Sequence, residues 1–149
     1  MPGPMPVWEI HHADRLEQCK GLALRDIKWE TFHVDGVRIP GVHSLYLDLG
    51  KWISIFDDAG AWFLYEASPG SNNAIEEGTI RLDWRIHDLE ELDPSLKGLL
   101  SKCLIGFGPS PDTEEFRLFF EGGAMIALSS GKLAEGVGAD EGFSVSFHS

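Results

Sequence analysis

Two stretches of this 149-residue chain match each other, and that match limits what the chain can become. Leu45-Tyr46-Leu47-Asp48-Leu49-Gly50-Lys51-Trp52-Ile53-Ser54-Ile55 aligns with Leu118-Phe119-Phe120-Glu121-Gly122-Gly123-Ala124-Met125-Ile126-Ala127-Leu128, with apolar, acidic and glycine positions in correspondence. An acidic-glycine turn between two apolar runs is the grammar of a β-hairpin, because Gly50, Gly122 and Gly123 tolerate the positive φ of tight turns. Upstream, Lys20-Gly21-Leu22 recurs as Lys97-Gly98-Leu99, and one shorter loop in the second copy absorbs the difference in spacing. Residues of about 8–67 and 89–148 therefore read as two degenerate copies of one unit: a helix-like lead, a first strand, a variable loop and a hairpin.

Alternation and β-branched or aromatic content predict strands at Ile27–Val34, Ser44–Leu49, Trp52–Phe56, Ala61–Ala67, Thr79–Ile86, Leu104–Phe107, Glu115–Phe120, Met125–Ser129 and Phe143–Phe147. In one of them Ile80, Leu82, Trp84 and Ile86 alternate with Thr79, Arg81, Asp83 and Arg85, so that strand has one wet face. Helical leads are predicted over about Trp8–Leu22 and Leu89–Lys102. In the second, Asp93 is placed as N-cap, Pro94 in the first turn, and Leu96, Leu99 and Leu100 as the apolar stripe. Loops fall at Asp35–Val42, Ser68–Gly78, Gly108–Thr113 and Gly131–Gly142, and residues 1–6 are expected to be disordered. The expected fold class is α+β and β-rich: antiparallel sheet or sheets from two tandem hairpin repeats, one or two helices packed on a face, and a single domain over 1–149. A lone copy would expose its apolar hairpin face, so the copies are expected to share a core.

Length and 43% hydrophobic content suit one sizeable core. No run approaches the roughly 18 apolar residues of a membrane span, and the opening Met-Pro-Gly-Pro-Met-Pro lacks the pattern of a signal peptide; the expected location is cytoplasmic. Cys19 and Cys103 make neither a disulfide framework nor a zinc site and read as free thiols. The net charge of −12 argues against a grip on nucleic-acid phosphates. Its distribution is uneven: residues 1–56 carry seven acidic and six basic side chains, whereas 57–149 carry seventeen and six. Such asymmetry steers a basic partner by long-range attraction.

No catalytic signature stands out. Histidines 11, 12, 33, 43, 87 and 148 show no metal-ligand spacing, although His33 and His43 are expected to be able to meet across the intervening loop. The acidic clusters fit no calcium loop, and neither a nucleophile elbow nor a phosphate-binding glycine loop is present. No cofactor, metal or catalytic residue is assigned. The candidate contact residues are the acidic ones: Asp57 and Asp58, Glu76 and Glu77, Asp88 with Glu90 and Glu91, and Asp112 with Glu114 and Glu115. Trp62, following Asp57-Asp58-Ala59-Gly60, is a candidate aromatic anchor within that acidic surface.

The helix, glycine-containing start and apolar-acidic-Gly-apolar hairpin, at Leu45–Ile55 and again at Leu118–Leu128, resemble small bacterial immunity proteins of polymorphic or contact-dependent toxin systems. That resemblance implies a non-enzymatic protein that neutralises a basic toxin, in some cases a nuclease, by occluding its active site through an acidic surface. Its implied partner is that basic effector, with neither nucleic acid nor membrane bound directly. Two other readings stay open at this point. One is a small-ligand-binding or enzymatic β domain with a pocket between the repeats, lined by His33, His43 and aromatics; the other is a structural adaptor.

Overall fold

The computed structural model describes residues 10–58, 61–109, 115–130 and 142–148. Residues 1–6, Trp8, Asp112 and Glu114 lie outside them. In chain order the elements are β1 (Ile10–His11), α1 (Asp14–Glu17), β2 (Asp26–Val34), β3 (Val37–Arg38), β4 (Ser44–Asp48), β5 (Trp52–Asp58), β6 (Ala61–Glu66), β7 (Asn73–Glu77), β8 (Ile80–Asp88) and α2 (Leu89–Leu92). A 3-10 segment (Pro94–Leu99) comes next, then β9 (Leu104–Pro109), β10 (Glu115–Phe120), β11 (Met125–Ser129) and β12 (Ser144–His148). The larger sheet has the order β1-β6-β5-β4-β2-β8-β7, with β3 paired to β2, and the smaller runs β12-β11-β10-β9. Among the described strands all pairs are antiparallel except β1 beside β6.

Alternation along the strands builds one core between the two sheets. The larger sheet contributes Ile27, Trp29, Leu45, Leu47, Ile53, Ile55, Trp62 and Leu64; the smaller contributes Leu104, Phe116, Leu118, Phe120, Ile126 and Leu128. Trp62 lies at the join, 5.7 Å from the Phe116 ring and edge-on to Phe143 at 5.3 Å. The sheets are also tied along their rims. Ala23 bridges Cys103, and Val42 bridges Phe143 through Val42 N–H to Phe143 C=O (2.8 Å) and Phe143 N–H to Val42 C=O (2.9 Å). At this second seam the backbones approach so closely that a Cβ on Gly41 would lie 2.4 Å from the Gly142 carbonyl oxygen, and one on Gly142 would lie 2.3 Å from that of Val42. Glycine is required there for space, and at Gly41 also for its φ of +92°.

The two matched segments both form antiparallel hairpins, and both place their matched apolar residues inward: Leu45 and Leu118, Leu47 and Phe120, Ile53 and Ile126, Ile55 and Leu128 are all buried. Their pairing differs by two residues, however. Leu45 faces Ile55 across the first hairpin, whereas Leu118 faces Ile126, not Leu128, across the second. The copies therefore do not correspond position for position across the turn.

Helix is scarcer than the sequence patterning predicts. Among the described residues of the Trp8–Leu22 lead, helix is limited to the single turn α1, and Ile10 and His11 pair in parallel with Trp62 and Phe63. The lead over Leu89–Lys102 splits into α2 and the 3-10 segment, broken at Asp93, whose φ of −162° and ψ of 110° are extended. Pro94 is the cause, since the ring of a proline disfavours helical backbone in the residue before it. Asp93 still caps the 3-10 segment, accepting from Ser95 N–H at 3.0 Å. Two expected loops also contain strands, β3 within Asp35–Val42 and β7 within Ser68–Gly78.

Candidate functional site

One edge of the larger sheet, at β7, is the first feature available to a partner. β7 pairs with β8 from Asn73 opposite Trp84 to Glu77 opposite Ile80, and among the described residues nothing pairs with its other side. All five of its residues are exposed. Pleating puts Ile75 and Glu77 on one face and Glu76, opposite Arg81, on the other. An unpaired row of N–H and C=O groups is a template for an added strand.

The other sequence-predicted carboxylates do not gather round this edge. Asp88 lies at the far end of the β7–β8 hairpin, seven residues beyond Arg81, or about 23 Å at roughly 3.3 Å per residue. There it pairs with the Lys28 ammonium, which holds its carboxyl below the usual carboxylate range. Glu90 pairs with Lys97 at 3.0 Å, and Glu91 engages His87. Asp57, half-buried on β5, is cross-strand from Trp62, and the Asp58 backbone pairs with Ala61. Glu115 lies on the other sheet, bonded to Arg117 at 3.0 Å. The structure thus brings Asp88, Glu90 and Glu91 together at α2, keeps Glu76 and Glu77 on the edge strand, and places Asp57 and Glu115 apart from both.

Trp62 requires a correction. Its expected role as an exposed anchor fails because its side chain is fully buried, with an indole N–H that finds no acceptor among the described residues. Inward alternation along β6, which also buries Leu64, sends it into the core.

A second group of polar residues sits on the inner face of the same sheet. On β2, Ile27, Trp29, Thr31 and His33 point inward; across from the last three lie His87, Arg85 and Asp83 of β8. The fully buried Thr31 hydroxyl stands 2.8 Å from His87 Nε2 and 2.9 Å from His33 Nε2. His87 Nδ1 is 3.1 Å from a Glu91 carboxylate oxygen. One set of tautomers satisfies all three contacts: His87 donates from Nδ1 to that carboxylate and accepts the Thr31 proton at Nε2, and His33 donates from Nε2 to the Thr31 oxygen. Burial first, then the Arg85 and Arg38 guanidiniums, push the His33 pKa down and keep it neutral. Arg38, cross-strand from His33, reaches back to set its guanidinium 5.3 Å from the Trp29 ring, and Trp29 donates to the Asp88 carbonyl at 2.8 Å.

Hydroxyl, imidazole and carboxylate in this order resemble the parts of an activated nucleophile. Thr31 nevertheless has no accessible surface, and both roles of its hydroxyl are taken, so no substrate carbonyl can reach it in this conformation. The alternation of β8 was legible in the sequence; which side faces inward was not. Thr31, His87, Arg38 and Trp29 carry no motif spacing, and only their strand register assembles them.

The outer face of β2 carries another set. Glu30 lies with the Tyr46 phenol and the Ser44 hydroxyl; burial raises its pKa while those two hydroxyls oppose the shift. Tyr46 is raised by burial and by the Glu30 charge. His43 stacks on Phe32 at 5.6 Å and approaches Glu30 at 3.8 Å, with burial lowering its pKa. His33 and His43 thus lie on opposite faces of the sheet, and the expected pocket lined by both is not formed. Among the described residues no group of three or more His, Cys, Asp or Glu side chains is arranged to hold a metal ion, and no helix is long and apolar enough to cross a membrane. Compared with known proteins, the chain matches no family model, no curated protein and no solved structure.

Proposed function

We propose that this domain is a non-enzymatic binding protein that takes a basic segment of a protein partner as an added strand on β7. The carrying observation is the open, fully exposed edge bearing Glu76 and Glu77 on its two faces, with Ile75 for apolar contact. Backbone pairing supplies affinity in strand addition, and alternate side-chain positions supply specificity. Charge chooses the partner: a second copy would bring another body of net charge −12, whereas a basic strand meets attraction at long range and carboxylates at contact. The sealed Thr31 hydroxyl supports a role other than nucleophilic catalysis. The finer reading, suggested by the hairpin resemblance, is immunity: the partner is a basic toxin effector whose active site this domain occludes. Compared with the acidic surface expected from sequence, the contact surface contracts to β7 and its flanks, because Asp88, Glu90 and Glu115 are already engaged by cations of this chain.

Capture of the product of the neighbouring gene by the purified domain tests this directly. Wild type is expected to retain it, and Glu76→Lys with Glu77→Lys is expected to weaken retention by at least about tenfold, the equivalent of roughly 1.4 kcal/mol. No capture by wild type, or equal capture by the double variant, would sink the reading.

A further inference from the structure

Away from β7, the chain leading from α1 into β2 crosses the β4–β5 turn and leaves a groove of about 290 Å³. Its walls include Gln18, Leu22, Arg25, Leu49, Gly50 and Lys51. In a chain with twelve more acids than bases, no Asp or Glu lines it. Two cations do. The Arg25 guanidinium has no partner among the described residues, and the Lys51 ammonium reaches Gln18 Oε1 at 3.3 Å and the Glu66 carboxylate at 3.7 Å. The nearest turn carboxylate, Asp48, is occupied by the Gly50 N–H at 3.1 Å. The accessible apolar wall is Leu22, which is 43% exposed where most leucines of this chain are not, beside Ala23. Gly50, at φ +90°, has open space where a side chain would stand, so the turn leaves the groove unobstructed.

We propose that this groove binds a small monocarboxylate with a short aliphatic body. The carboxylate sits between Arg25 and Lys51, and the aliphatic part covers Leu22. An unpaired guanidinium fork suits a carboxylate in bidentate geometry, and its hydrogen bonds are charge-assisted. The volume falls at the lower end of ligand clefts, which suits an acid of a few carbons. The site is independent of β7, so neither reading depends on the other.

Nuclear magnetic resonance titration of the full chain with hexanoate, hexanamide and inorganic phosphate tests it. Hexanoate is expected to give saturable shifts in the millimolar range at the Arg25 side-chain N–H and the Leu22 methyls. Arg25→Gln and Lys51→Gln, both at the surface, are expected to keep the folded spectrum while each weakens that binding by about tenfold. Equal binding of hexanamide would overturn the role of charge, and tighter binding of phosphate would overturn the apolar part. Shifts scattered over surface lysines and arginines without saturation, or undiminished binding by Arg25→Gln, would overturn the site itself.

Discussion

Thr31 holds two imidazoles in place from a position with no accessible surface, and its replacement by the near-isosteric valine isolates that function. Thr31→Val keeps the volume and removes the one hydroxyl shared by His33 and His87, leaving a buried ring nitrogen on His33 unsatisfied. An unsatisfied buried polar group costs about 1–3 kcal/mol, and a loss of that size is expected in urea unfolding at pH 7.5. An unchanged midpoint would mean that the two histidines find other partners. His33 also predicts a pH dependence. Its folded pKa lies below the ordinary value of about 6.5, so the unfolded chain binds the proton more readily. The stability from neutral His33 is therefore complete above about pH 6.5 and is lost as pH falls from there through the folded pKa. The urea midpoint is expected to drop between pH 7 and pH 5, with His33→Asn flattening that dependence. A slope unchanged by the substitution would place the titration elsewhere.

Most strands were legible as elements because period-two patterning survives from sequence to sheet: Glu115–Phe120 and Met125–Ser129 fall where the apolar alternation puts them. The helices were less so. Ile10 and Leu16 share a helical period, yet a backbone partner on β6 outweighs it, and Pro94 breaks the second lead at Asp93. β7 was hidden for a different reason. Ser-Asn-Asn and Glu-Glu look like loop in isolation, and only pairing with Ile80–Trp84 makes them a strand. β8 shows the limit of patterning. Its polar side faces inward because the strand lies beside His33 and Thr31, so Asp83 is buried while Ile80 and Ile75 remain exposed. The seam between the sheets depends on Gly142, which single-residue propensity reads as ordinary turn punctuation. Gly142→Ala drives a methyl group into the Val42 carbonyl and is expected to cost at least about 1–3 kcal/mol, the usual range for overpacking. A thermal midpoint equal to wild type would show that the seam relaxes without loss.

At the scale of the whole molecule, the described residues make one sheet seven strands broad and another of four, and the larger sheet's β7 and β8 contribute no residue to the shared core. That part of the sheet is where a polar group occupies the inner face, and where an edge stays open. The uneven charge of the sequence acquires a location there, although only partly: Glu76 and Glu77 stand on the open edge, while Asp57 and Glu115 are distributed over the two sheets. The two-residue difference in hairpin pairing shows that the sequence match between the two hairpins does not extend to a common register. The proposed binding mode is strand addition at β7. Amide hydrogen exchange of this domain, alone and with the product of the neighbouring gene, tests it most directly. Strand addition predicts that amides of Asn73–Glu77 directed away from β8 exchange freely in the isolated domain and become protected in the complex. Protection appearing only elsewhere, with β7 exchanging as in the free domain, would contradict it.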